Sequence, residues 1–106
     1  MNTVPFLDAV RAACASVNDP EFGLSIADLG LIYDVEANAG DVAVAMTLTT
    51  PACPAGDVIL GAVEAAVGRV DGVRRVAVRL VWEPAWTPDM ISARGRAQLG
   101  WRDPGE

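Results

Sequence analysis

Two stretches of the chain repeat apolar residues at spacings of three and four, and three others alternate them with polar ones. Leu7, Val10, Cys14 and Val17 form the first stripe and predict a core-facing helix over 4–17. Thr3 suits its N-cap, and Pro5 its first turn, where a missing N–H costs little. "NDPEFG" stops it through Asn18 and Pro20, with Gly23 supporting a loop. In the following "SIADLG", Ser25 and Asp28 are expected to bond to nearby backbone. "LIYDVEA" and "DVAVAMTLT" alternate as half-covered strands, and "ANAGD" between them reads as a hairpin loop. Ile59, Val63, Ala66 and Val70, widened by Val58, Ala62 and Val67, predict a second helix over 54–70, ended by Asp71–Gly72. In "VRRVAVRLVWEP" Val76, Val78, Leu80 and Trp82 point one way and Arg75, Ala77 and Arg79 the other, up to Pro84. A short helix over 92–99 with Ser92 as N-cap completes the order.

The fold class expected is α+β: a two-layer sandwich with helices on one face of a small three-stranded mixed sheet. The order is helix-strand-strand-helix-strand plus a short C-terminal helix, in a single domain over 1–106. The second strand, second helix and third strand form a crossover unit, so those two strands should run parallel. The outer face of the second strand is small and uncharged beyond Asp41, which makes a second copy of the chain a candidate cover. Trp86, Met90 and Trp101 in the tail also need cover, either from the domain's own sheet or from a partner.

Composition narrows the chemistry. The 106 residues carry a net charge of −6, with arginine as the sole basic residue. Such a balance repels phosphate backbones, so no nucleic-acid partner is expected. Arg69, Arg74, Arg75 and Arg79 read as a solvated face rather than a phosphate site. No apolar run approaches the roughly 20 residues that span a bilayer, and "MNTVPFLDAV" does not read as a signal peptide. The expectation is a cytoplasmic protein without a membrane partner. There is no histidine, which removes the usual general base and any Ser-His or Cys-His pair within the chain. Two cysteines do not make a disulfide framework or a Cys/His zinc site.

Cys14 lies in the first stripe and reads as a small buried hydrophobe. Cys53, in "LTTPACPAGD", lies where the second strand gives way to the second helix. Pro54 suits the first helical position, which makes Cys53 the expected N-cap. Its sulfur would then approach the N–H groups of Ala55 and Gly56, and the helix dipole would favour the thiolate. Gly56 would keep one side of this turn bare for a partner or metal, while Asp57 opposes the thiolate slightly. Cysteine is not a favoured N-cap residue, so its presence calls for a reason. A lone thiolate without a base or a CxxC partner could attack a peroxide or acyl group, or ligate a soft metal. Iron–sulfur clusters usually take four thiolates. A cluster here would be labile and shared with another chain, a client or small thiols.

"DPEFGLSIADLGLIYDV", "VAMTLTTPACP" and "VWEPAWTPDMIS…LG" together resemble the metal–sulfur cluster assembly factors of the SufT and PaaD type. The resemblance runs from the first helix to Trp101. It implies a small α/β domain serving iron–sulfur protein maturation, with client proteins and the assembly machinery as partners. The family's signature cysteine falls on Cys53, a candidate metal ligand, and its Asp-Pro-Glu motif on Asp19, Pro20 and Glu21. Thr49, Thr50 and Pro51 match the segment before the cysteine. In the family the Asp-Pro-Glu loop is expected near that cysteine; from spacing alone, Asp19 and Glu21 read as a polar turn. PaaD-type proteins, accessories of phenylacetate-degrading oxygenases, carry a cysteine-rich C-terminal extension. This chain ends with "LGWRDPGE", which favours a SufT-like expectation. The resemblance thus implies an accessory factor for cluster assembly or delivery, not an enzyme. It would act through Cys53 on a labile iron–sulfur cluster or iron, with Asp19, Glu21, Thr49, Thr50, Pro51, Pro54 and Gly56 shaping the site. A thiol-dependent enzyme using Cys53, and a non-catalytic dimer or client interaction module, are the competing readings.

Overall fold

The computed structural model describes residues 4–49 and 55–100. Its elements are α1 (Val4–Ala15), β1 (Asn18–Asp19), β2 (Leu24–Ser25), β3 (Ile32–Asn38), β4 (Asp41–Met46), α2 (Gly56–Gly68), β5 (Arg75–Leu80) and α3 (Ala93–Leu99). A 3-10 turn, Pro88–Met90, precedes α3. The three strands expected from alternation are β3, β4 and β5, ordered β3-β4-β5. β3 and β4 pair antiparallel across a hairpin whose turn residues, Ala39 (φ 51°) and Gly40 (φ 91°), are both left-handed. That backbone matches the twist of the flanking strands. β4 and β5 pair parallel, as a strand–helix–strand unit predicts.

One face of this sheet carries the core. Val35, Val42, Val44 and Met46 are buried against Val10 and Cys14 of α1 and Ile59, Val63 and Val67 of α2. Cys14 is 1% exposed, in line with its place in the first stripe. β5 is an edge strand, so its inward Val76, Val78 and Leu80 are half-buried, and Trp82 beyond it is 42% exposed. Val58 departs from expectation: at 68% exposed it lies outside the apolar stripe. The flank it shares with Ala62 and Ala66 is partly covered at those two positions and bare at the first turn.

The segment between α1 and β3 does more than its sequence suggests. Asn18–Asp19 pairs antiparallel with Leu24–Ser25 as a miniature hairpin, where a plain loop was expected. Beyond it Ile26, Leu29 and Leu31 are each 0% exposed, so an aperiodic stretch fills the middle of the core. Ser25 does bond locally: its Oγ accepts from the N–H of Ala27 (3.1 Å) and donates to the carbonyl of Ala15 (2.7 Å). Asp28, expected to do the same, instead reaches across the fold. Its Oδ1 accepts from Ser92 Oγ (2.9 Å), its carbonyl from the N–H of Ser92 (2.7 Å), and its Oδ2 lies 3.7 Å from Arg94.

The tail is thereby sewn onto residues 28–33. Trp86 Nε1 donates to the carbonyl of Leu29 (2.7 Å), and Tyr33 Oη donates to the carbonyl of Pro84 (2.7 Å). Trp86 thus finds its cover within its own domain; Trp101 lies outside the described residues. Ser92 caps α3 as expected, accepting from the N–H of Gly95 at 3.0 Å. Among the described residues no helix is long and apolar enough to cross a membrane.

Candidate functional site

The site the sequence points to lies at the C-terminal end of β4. Past Met46, the N–H of Thr47 donates to the carbonyl of Leu31 (2.8 Å), which holds the chain beside the 24–31 plug. Leu48 is 6% exposed, and Thr49 is half-buried. Description resumes at Ala55, which is half-buried and stands at the N-cap of α2 (φ −91°, ψ 4°) without a side-chain cap. Cys53, Thr50, Pro51 and Pro54 lie outside the described residues.

Two expectations about this junction change. The N-cap is Ala55 and the first helical residue Gly56, not Cys53 and Pro54. The N–H of Ile59 takes the carbonyl of Ala55 (2.9 Å) as its helical acceptor, which fixes that start. Nor does Gly56 hold a face open. It is buried, and a Cβ there would meet Leu48 Cδ1 at 2.9 Å. The bare side of Gly56 lets α2 approach the end of β4 closely. Gly56→Val should therefore lower stability by about 1–3 kcal/mol through overpacking, read as a shift in urea midpoint. Gly56→Ala should stay within about 1 kcal/mol, because its helix propensity offsets a small movement of Leu48.

Asp19 and Glu21 separate in character. Asp19 is 1% exposed. Its Oδ1 accepts from the N–H of Glu21 at 2.7 Å and, less closely, of Phe22 at 3.4 Å. Its carbonyl accepts from the N–H of Gly23 at 2.8 Å. The carboxylate thus ties the turn of the small hairpin, an Asx-type arrangement that satisfies backbone donors otherwise left to water. Pro20, with φ fixed by its ring, fits inside that turn. Glu21 is exposed.

Thr47 is the residue that sequence reasoning missed. It is 0% exposed, and its Oγ1 has no hydrogen-bond partner among the described residues. Leaving a buried hydroxyl unmade costs roughly 1–3 kcal/mol. Its position six residues before Cys53 makes it a candidate member of the site. The available signal was a hydroxyl residue following two alanines on the outer face of β4, where burial was not expected.

The remaining thiol is inert. Burial pushes the Cys14 thiol up from its ordinary value, opposed in smaller measure by Arg11 and a backbone hydrogen bond. A raised thiol stays protonated in the folded chain, so its contribution to stability is complete below the unfolded thiol's pKa and is lost as pH rises from there through the higher folded pKa. Alkylation of the native protein near neutral pH should leave Cys14 unmodified, with reaction there only after unfolding; intact-protein mass checks this. Among the described residues no three His, Cys, Asp or Glu side chains come together as a metal-binding group. Besides the buried Cys14 the sequence holds one other cysteine, Cys53. A four-thiolate cluster does not fit a single copy.

A family model described as "Iron-sulfur cluster assembly protein" matches residues 7–79. A "Fe-S protein maturation auxiliary factor" from Porphyromonas gingivalis is 46% identical over 87 residues, 81% of this chain and 83% of that protein. The "Fe-S protein maturation auxiliary factor SufT" of Staphylococcus aureus is 39% identical over 85 residues, 79% of this chain and 97% of that protein. Among solved structures, a domain of unknown function, DUF59, from Bacillus anthracis superposes with a TM-score of 0.87 at 33% identity. It covers 92% of this chain and 94% of that one.

Proposed function

The chain belongs to the iron–sulfur cluster assembly protein family, of the SufT and PaaD type, and on that premise we propose that it is an accessory factor acting through Cys53. Its role is maturation: it helps assemble a cluster or deliver it to client apoproteins and does not turn over a substrate. One observation carries this reading. The family match spans residues 7–79 and so includes Asp19, Glu21, Thr49, Thr50, Pro51, Cys53, Pro54 and Gly56 in one piece. Relatives that cover most of this chain are named as maturation auxiliary factors.

The roles divide by chemistry. Cys53 supplies a soft thiolate, suited to iron or to a bridging cluster sulfur's metal. The cluster or iron is cargo, held between this thiol and ligands from a second chain or the client. Asp19 sets the shape of the 18–25 hairpin, and Glu21 stands exposed on its turn. Thr47, whose hydroxyl has no partner among the described residues, and Thr49 precede the thiol-bearing segment in the chain, and Pro51 and Pro54 flank Cys53 within it. Gly56 brings α2 against Leu48 at the end of β4. The test is the rate at which an iron–sulfur apoprotein is matured anaerobically with and without the protein. A faster rate is expected. An unchanged rate with several clients would overturn the role.

A further inference from the structure

We propose that the sheet face opposite the helices, open around Ala43 and Ala77, is a homodimer surface, and that its charges select one symmetry. Cross-strand register arranges this face in rows. Glu36, Ala43 and Ala77 form one row, and Asp34, Ala45 and Arg79 the next; Asn38, Asp41 and Arg75 close the hairpin end. A groove of about 240 Å³ opens among Asp34, Glu36, Ala43, Ala45, Ala77 and Arg79. Carboxylates thus line the β3 edge, guanidiniums the β5 edge, and alanine the floor between.

Among the described residues the two edges do not pair with each other within one copy. They lie two strand spacings apart, about 10 Å. Among the described residues none of Asp34, Glu36, Arg75 and Arg79 forms an ion pair, whereas Arg94 lies 3.7 Å from Asp28. A second copy can satisfy them. Sheets pack face to face about 10 Å apart, with strands within roughly 30° of alignment, and alanine side chains permit that approach.

Of the two face-to-face two-folds, one fits. An axis between the sheets and along β4 turns a copy over while keeping its strand direction. It sets β3 over the partner's β5, with Asp34 opposite the partner's Arg79 and Glu36 between the partner's Arg75 and Arg79. An axis across the strands would set β3 on β3 and β5 on β5, like charge on like charge. In the favoured arrangement the one unfavourable apposition is Asp41 with its own copy, and Arg75 stands beside Asp41 in the same row. The footprint is about 15 × 20 Å, or about 300 Å² per copy. That is well under the roughly 800 Å² per partner of stable complexes, so the dimer is weak and concentration-dependent. Because β4 keeps its direction, the Met46 ends of both copies lie at the same end of the dimer. The consequence that two Cys53-bearing connections leave from one end rests on the function proposed above; the dimer itself does not.

Sedimentation equilibrium from about 10 µM to about 1 mM at low salt tests it. The wild type should show a monomer–dimer equilibrium that weakens several-fold in about 0.5 M salt. The double variants Asp34→Arg/Glu36→Arg and Arg75→Glu/Arg79→Glu, each checked for native circular dichroism, should each dimerise at least tenfold more weakly. Mixed together they should form a heterodimer, since one then presents two positive edges and the other two negative ones. Cys53→Ser should leave the equilibrium unchanged, which separates this test from that of function. A wild type monomeric at about 1 mM, a dimer indifferent to both double variants, a mixture that fails to associate, or a dimer lost with Cys53→Ser would each overturn the proposal.

Discussion

Replacing Gly30 by alanine is expected to cost about 2–5 kcal/mol, a large share of the roughly 5–15 kcal/mol that holds a domain of this size together. Two effects add. Gly30 has φ 79°, where a Cβ costs roughly 1–2 kcal/mol. That Cβ would also lie 2.5 Å from the Met90 carbonyl oxygen and 2.8 Å from Met90 Cβ. Neither neighbour is free to yield, because the tail is held on both sides by Trp86 on Leu29 and Ser92 on Asp28. Overpacking of this kind costs typically 1–3 kcal/mol. Gly23→Ala carries the first effect alone, so the difference between the two variants isolates the second: Gly23 has φ 69°, but nothing lies within 4 Å of its missing Cβ. Denaturant melts should show Gly30→Ala losing clearly more than Gly23→Ala. Equal losses would mean that the Met90 turn does not press on this glycine.

That contact was illegible in the chain, and the reason is physical. Periodicity reports elements whose side chains repeat toward one face. It therefore revealed α1, α2, α3 and the three strands of the sheet, with pairing directions following from the short hairpin and the helical crossover. It says nothing of Ile26, Leu29 and Leu31, which reach the core from an irregular segment, nor of a tail that docks by single hydrogen bonds between residues some 60 positions apart, as with Asp28 and Ser92. Helix ends were the weaker part of the reading. Proline at a first helical position is a propensity, whereas α2 starts at Gly56, where the Ile59 N–H takes the Ala55 carbonyl and the glycine seats closely on Leu48.

The candidate site was legible in part. Cys14 was separable from Cys53 because one thiol sits in an apolar stripe and the other does not. From spacing alone Asp19 and Glu21 read alike, as a polar turn around Pro20. The fold distinguishes them, burying Asp19 to tie its own hairpin and leaving Glu21 in solvent. Thr47 escaped notice because alternation placed it on the outer face, and only the folded chain shows that hydroxyl to be buried and without a partner among the described residues.

The largest functional effect is expected at Cys53. Serine keeps the size and polarity of the side chain but loses the thiolate, and a hydroxyl is a poor ligand for iron in a sulfur-rich setting. Cys53→Ser should fold as the wild type does and lose at least tenfold of the maturation it adds to a client. The matching control is Cys14→Ala, since a serine hydroxyl at a position 1% exposed would be buried at a cost of roughly 1–3 kcal/mol. The decisive measurement is the anaerobic rate of cluster transfer or assembly on a client apoprotein in the presence of wild type, Cys53→Ser and Cys14→Ala. The account predicts that Cys53→Ser falls to the rate without any factor while Cys14→Ala keeps the wild-type rate; client maturation undiminished by Cys53→Ser would contradict it.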